Sequence, residues 1–86
     1  MNDYNVQFVA SAAKEFRALP DDIKRRIGLA VEMLRKNPHS ADARKLRAHE
    51  RLYRIRVGHY RVVYEIDHQS RIIRVTRVRH RREVYR

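Results

Sequence analysis

An α+β fold, with an N-terminal strand and a helical hairpin packed on a small antiparallel sheet, follows from three features of this 86-residue sequence. The first is an apolar stripe at helical spacing between residues 23 and 34. The second is a C-terminal half rich in Val, Ile, Tyr and Arg, the composition of half-buried strands. The third is Gly58-His59, a two-residue turn between two such runs.

The elements follow in chain order. Residues 4–9 (Tyr-Asn-Val-Gln-Phe-Val) alternate apolar and polar, which predicts a short strand. Ser11 is the expected cap of a helix reaching about Leu19, with Ala12, Phe16 and Leu19 on one face. Pro20 breaks the chain, and Asp21 and Asp22 suit the positive end of the next helix dipole. Ile23, Ile27, Ala30, Val31 and Leu34 then form one core-facing stripe. Arg35 and Lys36 suit its C-terminus, and Asn37-Pro38 ends it. Residues 37–43 read as a loop. Leu52–Val57, Tyr60–Asp67 and Arg71 to about Val78 read as three antiparallel strands, the last two joined at His68-Gln69. Glycine at the first turn position allows the positive φ of a type II′ turn.

This is one domain spanning residues 1–86. A chain of this size buries about 60–65% of its unfolded surface, so its core is thin. It has no cysteine, which excludes disulfides and thiolate metal sites. With no signal peptide and no apolar run near the ~20 residues a bilayer needs, the expected location is the cytoplasm, with no membrane contact.

Charge narrows the function. The chain has 21 Lys+Arg against 10 Asp+Glu, net +11. Residues 1–43 are close to neutral, with 7 basic and 6 acidic side chains, whereas residues 44–86 carry 14 and 4. Seventeen of the basic residues are arginine, whose planar fork grips phosphate at two points. A polyanionic partner is expected, either nucleic acid or an acidic protein.

Strand register sharpens this. A two-residue turn at 58–59 sets Val57 against Tyr60, Ile55 against Val62 and Tyr53 against Tyr64, which makes one apolar face for the helices. The other face has Arg56 opposite Arg61 and Arg54 opposite Val63. A second two-residue turn pairing Asp67 with Ser70 would bring Arg74 opposite Val63. Arg54, Arg56, Arg61 and Arg74 would then crowd an open face fit for phosphate. Alternation breaks after Val75, so Arg77, Arg79, His80 and Arg81 have no assigned face.

The candidate chemistry is narrow. No glycine-rich phosphate loop is present, which excludes nucleotide hydrolysis of that kind. The second half has no His or carboxylate pair at metal-ligand spacing, and no metal or cofactor is expected. His68 beside Asp67 reads as a turn residue. Metal-free RNA cleavage stays open. Attack of a 2′-hydroxyl on the adjacent phosphodiester needs a base, an acid and cations around the phosphorane. His59, His80 and Tyr85 are the proton-transfer side chains near the arginines.

Several segments together carry a family resemblance over essentially the whole chain. These are the hairpin ending in Asn37-Pro38, then Arg44-Lys45-Leu46-Arg47 and Tyr53-Arg54-Ile55-Arg56. Gly58-His59-Tyr60-Arg61-Val62-Val63-Tyr64 follows, and the chain ends with Val78-Arg79-His80-Arg81-Arg82-Glu83-Val84-Tyr85. The sequence resembles the RelE/ParE superfamily of bacterial toxins, and its ending is similar to the RelE branch.

The resemblance implies the toxin of a type II toxin–antitoxin system: a ribosome-dependent endoribonuclease that cuts mRNA in the A site and is silenced by an antitoxin. That antitoxin would be acidic, RelB-like and disordered until bound, in a hetero-oligomeric complex. It would lay a helix on the helical hairpin or cover the arginine face. Arg54 and Arg56 match two basic strand positions, usually lysine in the best-known branch. Arg61 matches an arginine that stabilises the transition state. Arg81 matches one assigned to leaving-group protonation or phosphate contact, and Tyr85 a tyrosine that stacks on the target nucleotide. His80 lies where some related toxins carry histidine. Arg44, Lys45, Arg47 and Arg51 are expected to grip rRNA or mRNA phosphates.

Arginine stays protonated at working pH, so Arg54 and Arg56 are poor bases. Either His80, His59 or Tyr85 takes the proton, or catalysis leans on electrostatics and positioning by the ribosome. Two alternatives stay open: the ParE branch, which shares the fold and inhibits DNA gyrase, and a non-catalytic basic nucleic-acid-binding module.

Overall fold

A computed structural model describes residues 3–39, 44–45 and 52–80 of the chain. The elements run β1 (Asn5–Phe8), α1 (Ala10–Arg17), α2 (Asp21–Lys36), β2 (Arg44–Lys45), β3 (Leu52–Val57), β4 (Tyr60–Asp67) and β5 (Ile72–His80). They form one five-stranded sheet in the order β1-β5-β4-β3-β2. Strands β2 to β5 pair antiparallel, while β1 pairs parallel with β5, so the sheet is mixed. A parallel neighbour needs a crossover, and the two helices with the strands after them supply it.

The core lies between helices and sheet. Ala12 of α1 and Ile27, Val31 and Leu34 of α2 pack against Ile55, Val62, Tyr64, Ile66, Ile73, Val75 and Val78. The stripe expected on α2 is therefore the buried one, with Ile23 and Ala30 at its margin. The opposite side of α2 leaves Leu29 63% and Met33 68% exposed.

Three local expectations are corrected. Ser11 does not cap α1. Val9 takes the N-cap position with extended backbone and no side-chain cap. Its N–H already donates to Val75 O (3.0 Å) and its carbonyl accepts from Ala13 N–H (2.9 Å), so strand passes directly into helix. The β4–β5 connection is four residues long, pairing Asp67 with Ile72 rather than with Ser70. Asp67 Oδ1 accepts the Ser70 N–H at 3.1 Å, and this bond holds its carboxyl below the usual carboxylate range. Arg71 closes the loop in the left-handed region at φ 55°. In consequence Arg74 faces Glu65, not Val63. The longer turn lets the Arg71 carbonyl reach back to the Asn5 N–H (2.9 Å), where β1 joins the sheet.

The β3–β4 register is as expected throughout, from Leu52↔Glu65 to Val57↔Tyr60. Gly58 supplies the positive φ, 61°, and His59 does not share it, as a type II′ turn requires.

Tyr64 ties the centre of the sheet to the end of α2. It is fully buried, and its hydroxyl donates to Pro38 O at 3.0 Å. Burial, with Tyr53 stacked beside it, pushes its pKa up to about 12. A folded pKa above the free value of 10 means stability is intact below pH 10 and falls as pH rises toward 12. Tyr64→Phe is therefore expected to cost about 1 kcal/mol near neutrality and to remove part of the alkaline loss. Urea titrations from about pH 8 to above pH 11 measure both effects.

Candidate functional site

The broken alternation after Val75 is a β-bulge. Tyr64 pairs with Val75 and Val63 with Arg77, so Thr76 is the extra residue. Its hydroxyl donates to Val63 O at 3.3 Å. The bulge resets the pleat by one residue. Ile73 and Val75 are buried in the core before it, and Val78 is buried there after it. Arg77 and Arg79 then fall on the other face.

That face is a ladder of arginines. Arg56, Arg61 and Arg79 occupy one rung across β3, β4 and β5. Arg54, Val63 and Arg77 occupy the next, and Leu52, Glu65 and Arg74 the third. Like charges directly opposite each other on a sheet cost stability unless opposite charges lie among them.

Two carboxylates ease part of this. Glu65 pairs with Arg74 at 2.8 Å. Glu15 of α1 accepts from Arg79 Nε through Oε2 and from Val78 N–H through Oε1, the latter at 2.8 Å. β1 ends opposite Val75, so β5 has an uncovered edge at Val78, and Glu15 caps it.

The expectation of a wholly open face is corrected. Arg61 is only 4% exposed and Val63 6%, whereas Arg56 and Arg77 are exposed and Arg54 is half-buried. The physical reason is position: Arg61 and Val63 lie on β4, the middle strand, with arginines in register on both sides. A buried guanidinium on a rigid central strand is held in one orientation. The exposed side chains of Arg56 and Arg77 can follow a ligand.

His80 is not on this face. It pairs with Tyr60 on the helix side, its ring edge-on to Tyr60 (5.4 Å between centroids) and stacked on His59 (6.1 Å). It does share a hollow of about 460 Å³ with Glu15, Ala18, Leu19, Tyr60 and Arg79. That hollow brings an imidazole, a carboxylate and a guanidinium together where the arginine ladder meets the sheet end.

The structure thus brings together Arg54, Arg56 and Arg61, and keeps Arg74 on the same face, neutralised by Glu65. The backbone of Arg44 and Lys45 forms β2 beside β3, with Arg44 opposite Arg54. Arg47, Arg51, Arg81 and Tyr85 lie outside the described residues. Sequence reasoning left Arg77 and Arg79 without a face and missed Glu15. The available signal for the bulge was Val78, a valine between two arginines and out of phase with Ile73 and Val75. Among the described residues, no group of three or more His, Asp or Glu side chains converges as a metal site. No helix among them is long and apolar enough to cross a membrane.

Residues 6–85 match the family described as the ParE toxin of type II toxin-antitoxin system, parDE. The chain is 33% identical over 84 residues to toxin RelE3 of Methanocaldococcus jannaschii, covering 93% of each. It also superposes on RelE of the archaeal RelE–RelB complex from Pyrococcus horikoshii, with a TM-score of 0.79, 28% identity, and 94% and 97% of the two chains covered. The isolated RelE toxin of E. coli gives a TM-score of 0.82 and 27% identity, with 95% and 90% covered.

Glu15→Ala removes the cap on the Val78 N–H and one partner of Arg79. It is expected to lower stability by about 1 kcal/mol, chiefly through the uncapped Val78 N–H, the partly exposed ion pair adding little. A lower urea midpoint with an unchanged m-value would bear this out.

Proposed function

The chain belongs to the RelE/ParE superfamily of type II toxins and is a RelE-like toxin, and we propose that it is a ribosome-dependent, metal-independent endoribonuclease acting on mRNA in the A site. The observation that carries this reading is the arginine ladder, with Arg56, Arg61 and Arg79 on one rung and Arg54 and Arg77 on the next.

In the proposed reaction the 2′-oxygen bonds to the adjacent phosphorus and the bond from phosphorus to the 5′-oxygen breaks. The 2′-hydroxyl proton passes to a base, and the leaving 5′-oxygen takes a proton. The products are a 2′,3′-cyclic phosphate and a 5′-hydroxyl. Charge builds on the phosphorane oxygens, and Arg61, held by burial, is oriented before substrate arrives. Arg54 and Arg56 add charge and grip the flanking backbone. Permanently protonated guanidinium groups do not abstract the proton. His80 lies on the helix side of the sheet, away from the face that carries Arg61, so the proton passes instead to Tyr85 or to a group that the ribosome positions. Arg81 supports the leaving group, Tyr85 stacks on the target nucleotide, and Arg44, Lys45, Arg47, Arg51 and Arg74 contact RNA phosphates. The site of action is then the cytoplasm, where programmed ribosomes are.

Primer extension on a programmed ribosome, with end-group analysis, tests this. We expect an A-site cut with a 5′-hydroxyl. Arg56 is exposed, so Arg56→Ala should leave the fold intact and slow cleavage by roughly 10²–10³-fold. Arg61→Lys keeps the charge without the fork and should slow it comparably. Undiminished cleavage in both variants would remove the ladder from the mechanism.

A second reading, inhibition of DNA gyrase, is favoured by the ParE description of the matching family. Blocked supercoiling by the pure protein, with mRNA left intact on ribosomes, would establish it instead.

The partner we infer is an acidic, RelB-like antitoxin in a hetero-oligomer; related structures are RelE–RelB complexes. Leu29 and Met33, exposed one turn apart on α2, suit an apolar helix face of such a partner. Leu29→Asp with Met33→Asp should weaken antitoxin binding at least about tenfold by calorimetry, without changing cleavage by the free toxin.

A further inference from the structure

A second cluster lies at the other end of β4 from the Arg56–Arg61–Arg79 rung. His39, just after α2, and His68, in the β4–β5 loop, bring their Nε2 atoms to 3.2 Å, with rings stacked 5.1 Å apart. The Tyr4 hydroxyl lies 2.7 Å from His68 Nδ1. Tyr53 meets the His39 ring edge-on at 5.3 Å. Both imidazoles are exposed.

The geometry points to a two-histidine site for a zinc-like divalent cation, closed by water. Zn–N bonds of about 2.0–2.1 Å in a tetrahedron set neighbouring ligand nitrogens about 3.3 Å apart, which the two Nε2 atoms match. Imidazole nitrogen suits this class of ion. In the metal-free arrangement one Nε2 donates its proton to the other. A cation takes the place of that proton once the donating imidazole moves it to Nδ1, so both Nε2 lone pairs are available. Tyr4 supports the same arrangement: accepting the Nδ1 proton of His68 leaves Nε2 as the ligand atom, the role outer-shell partners play at histidine metal sites. The two histidines are 29 positions apart in the chain, so a bound ion clips the end of α2 to the β4–β5 loop. The ion would stabilise the fold by mass action, apart from the arginine ladder.

Titrating the purified full-length protein with zinc chloride tests this by calorimetry and thermal melting. One saturable equivalent is expected, with a melting temperature that rises with zinc and returns on chelation. His68→Gln and His39→Gln, which keep size and polarity, should each abolish the equivalent. Tyr4→Phe should weaken it by about 10–100-fold. His59→Ala with His80→Ala, removing the other stacked histidine pair, should leave it in place. Absence of saturable binding, or binding that survives undiminished in either glutamine variant, overturns the site. Loss of binding in the His59 and His80 double variant would assign the ion elsewhere and overturn it equally.

Discussion

One extra residue in β5 sets both the core and the charged face. Side chains on a strand alternate with period two, so continuing the pleat past Val75 without a bulge would send Arg77 and Arg79 toward the helices and Val78 away from them. The bulge at Thr76 prevents this, and the Thr76 hydroxyl on Val63 O is part of it. Val78 completes the core at 2% exposure. Arg79 joins Arg56 and Arg61 on one rung. Bulges are commonly found where a strand must re-aim its side chains near a working surface, and here hydrophobic burial and charge placement depend on the same local irregularity.

The arginine face puts stability and recognition in opposition. A small sheet with a thin core gains little from placing guanidinium groups opposite one another. The protein offsets part of this with Glu65 on Arg74 and Glu15 on Arg79. Both pairs are partly exposed, so each contributes modestly. Glu15 has a further role, since it closes the edge of β5 that β1 leaves uncovered. The first helix is thereby coupled to the charged face through one carboxylate.

The two ends of β4 differ in kind. The hairpin end carries Arg56, Arg61 and Arg79 on one face and His80, stacked with His59, on the helix side. The other end collects Tyr4, Tyr53, His39 and His68, with the Arg71 guanidinium over the Tyr4 ring at 5.4 Å. Between them Tyr64, buried and bonded to Pro38 O, anchors the end of α2 to the central strand.

The sequence alone determined the main elements, the α2 core stripe and the β3–β4 register, because these depend on local signals: periodicity, a proline break and a glycine at positive φ. It therefore also placed Arg54, Arg56 and Arg61 on one face. Register across the longer β4–β5 turn was not legible. Arg71 adopts a left-handed backbone there, and its carbonyl bonds to Asn5 at the far end of the chain. The parallel seat of β1, the burial of Arg61 and the Glu15 cap are likewise long-range, as is the meeting of His39 with His68. These features arise only on folding, because each depends on segments whose spacing in sequence carries no trace of their nearness in space.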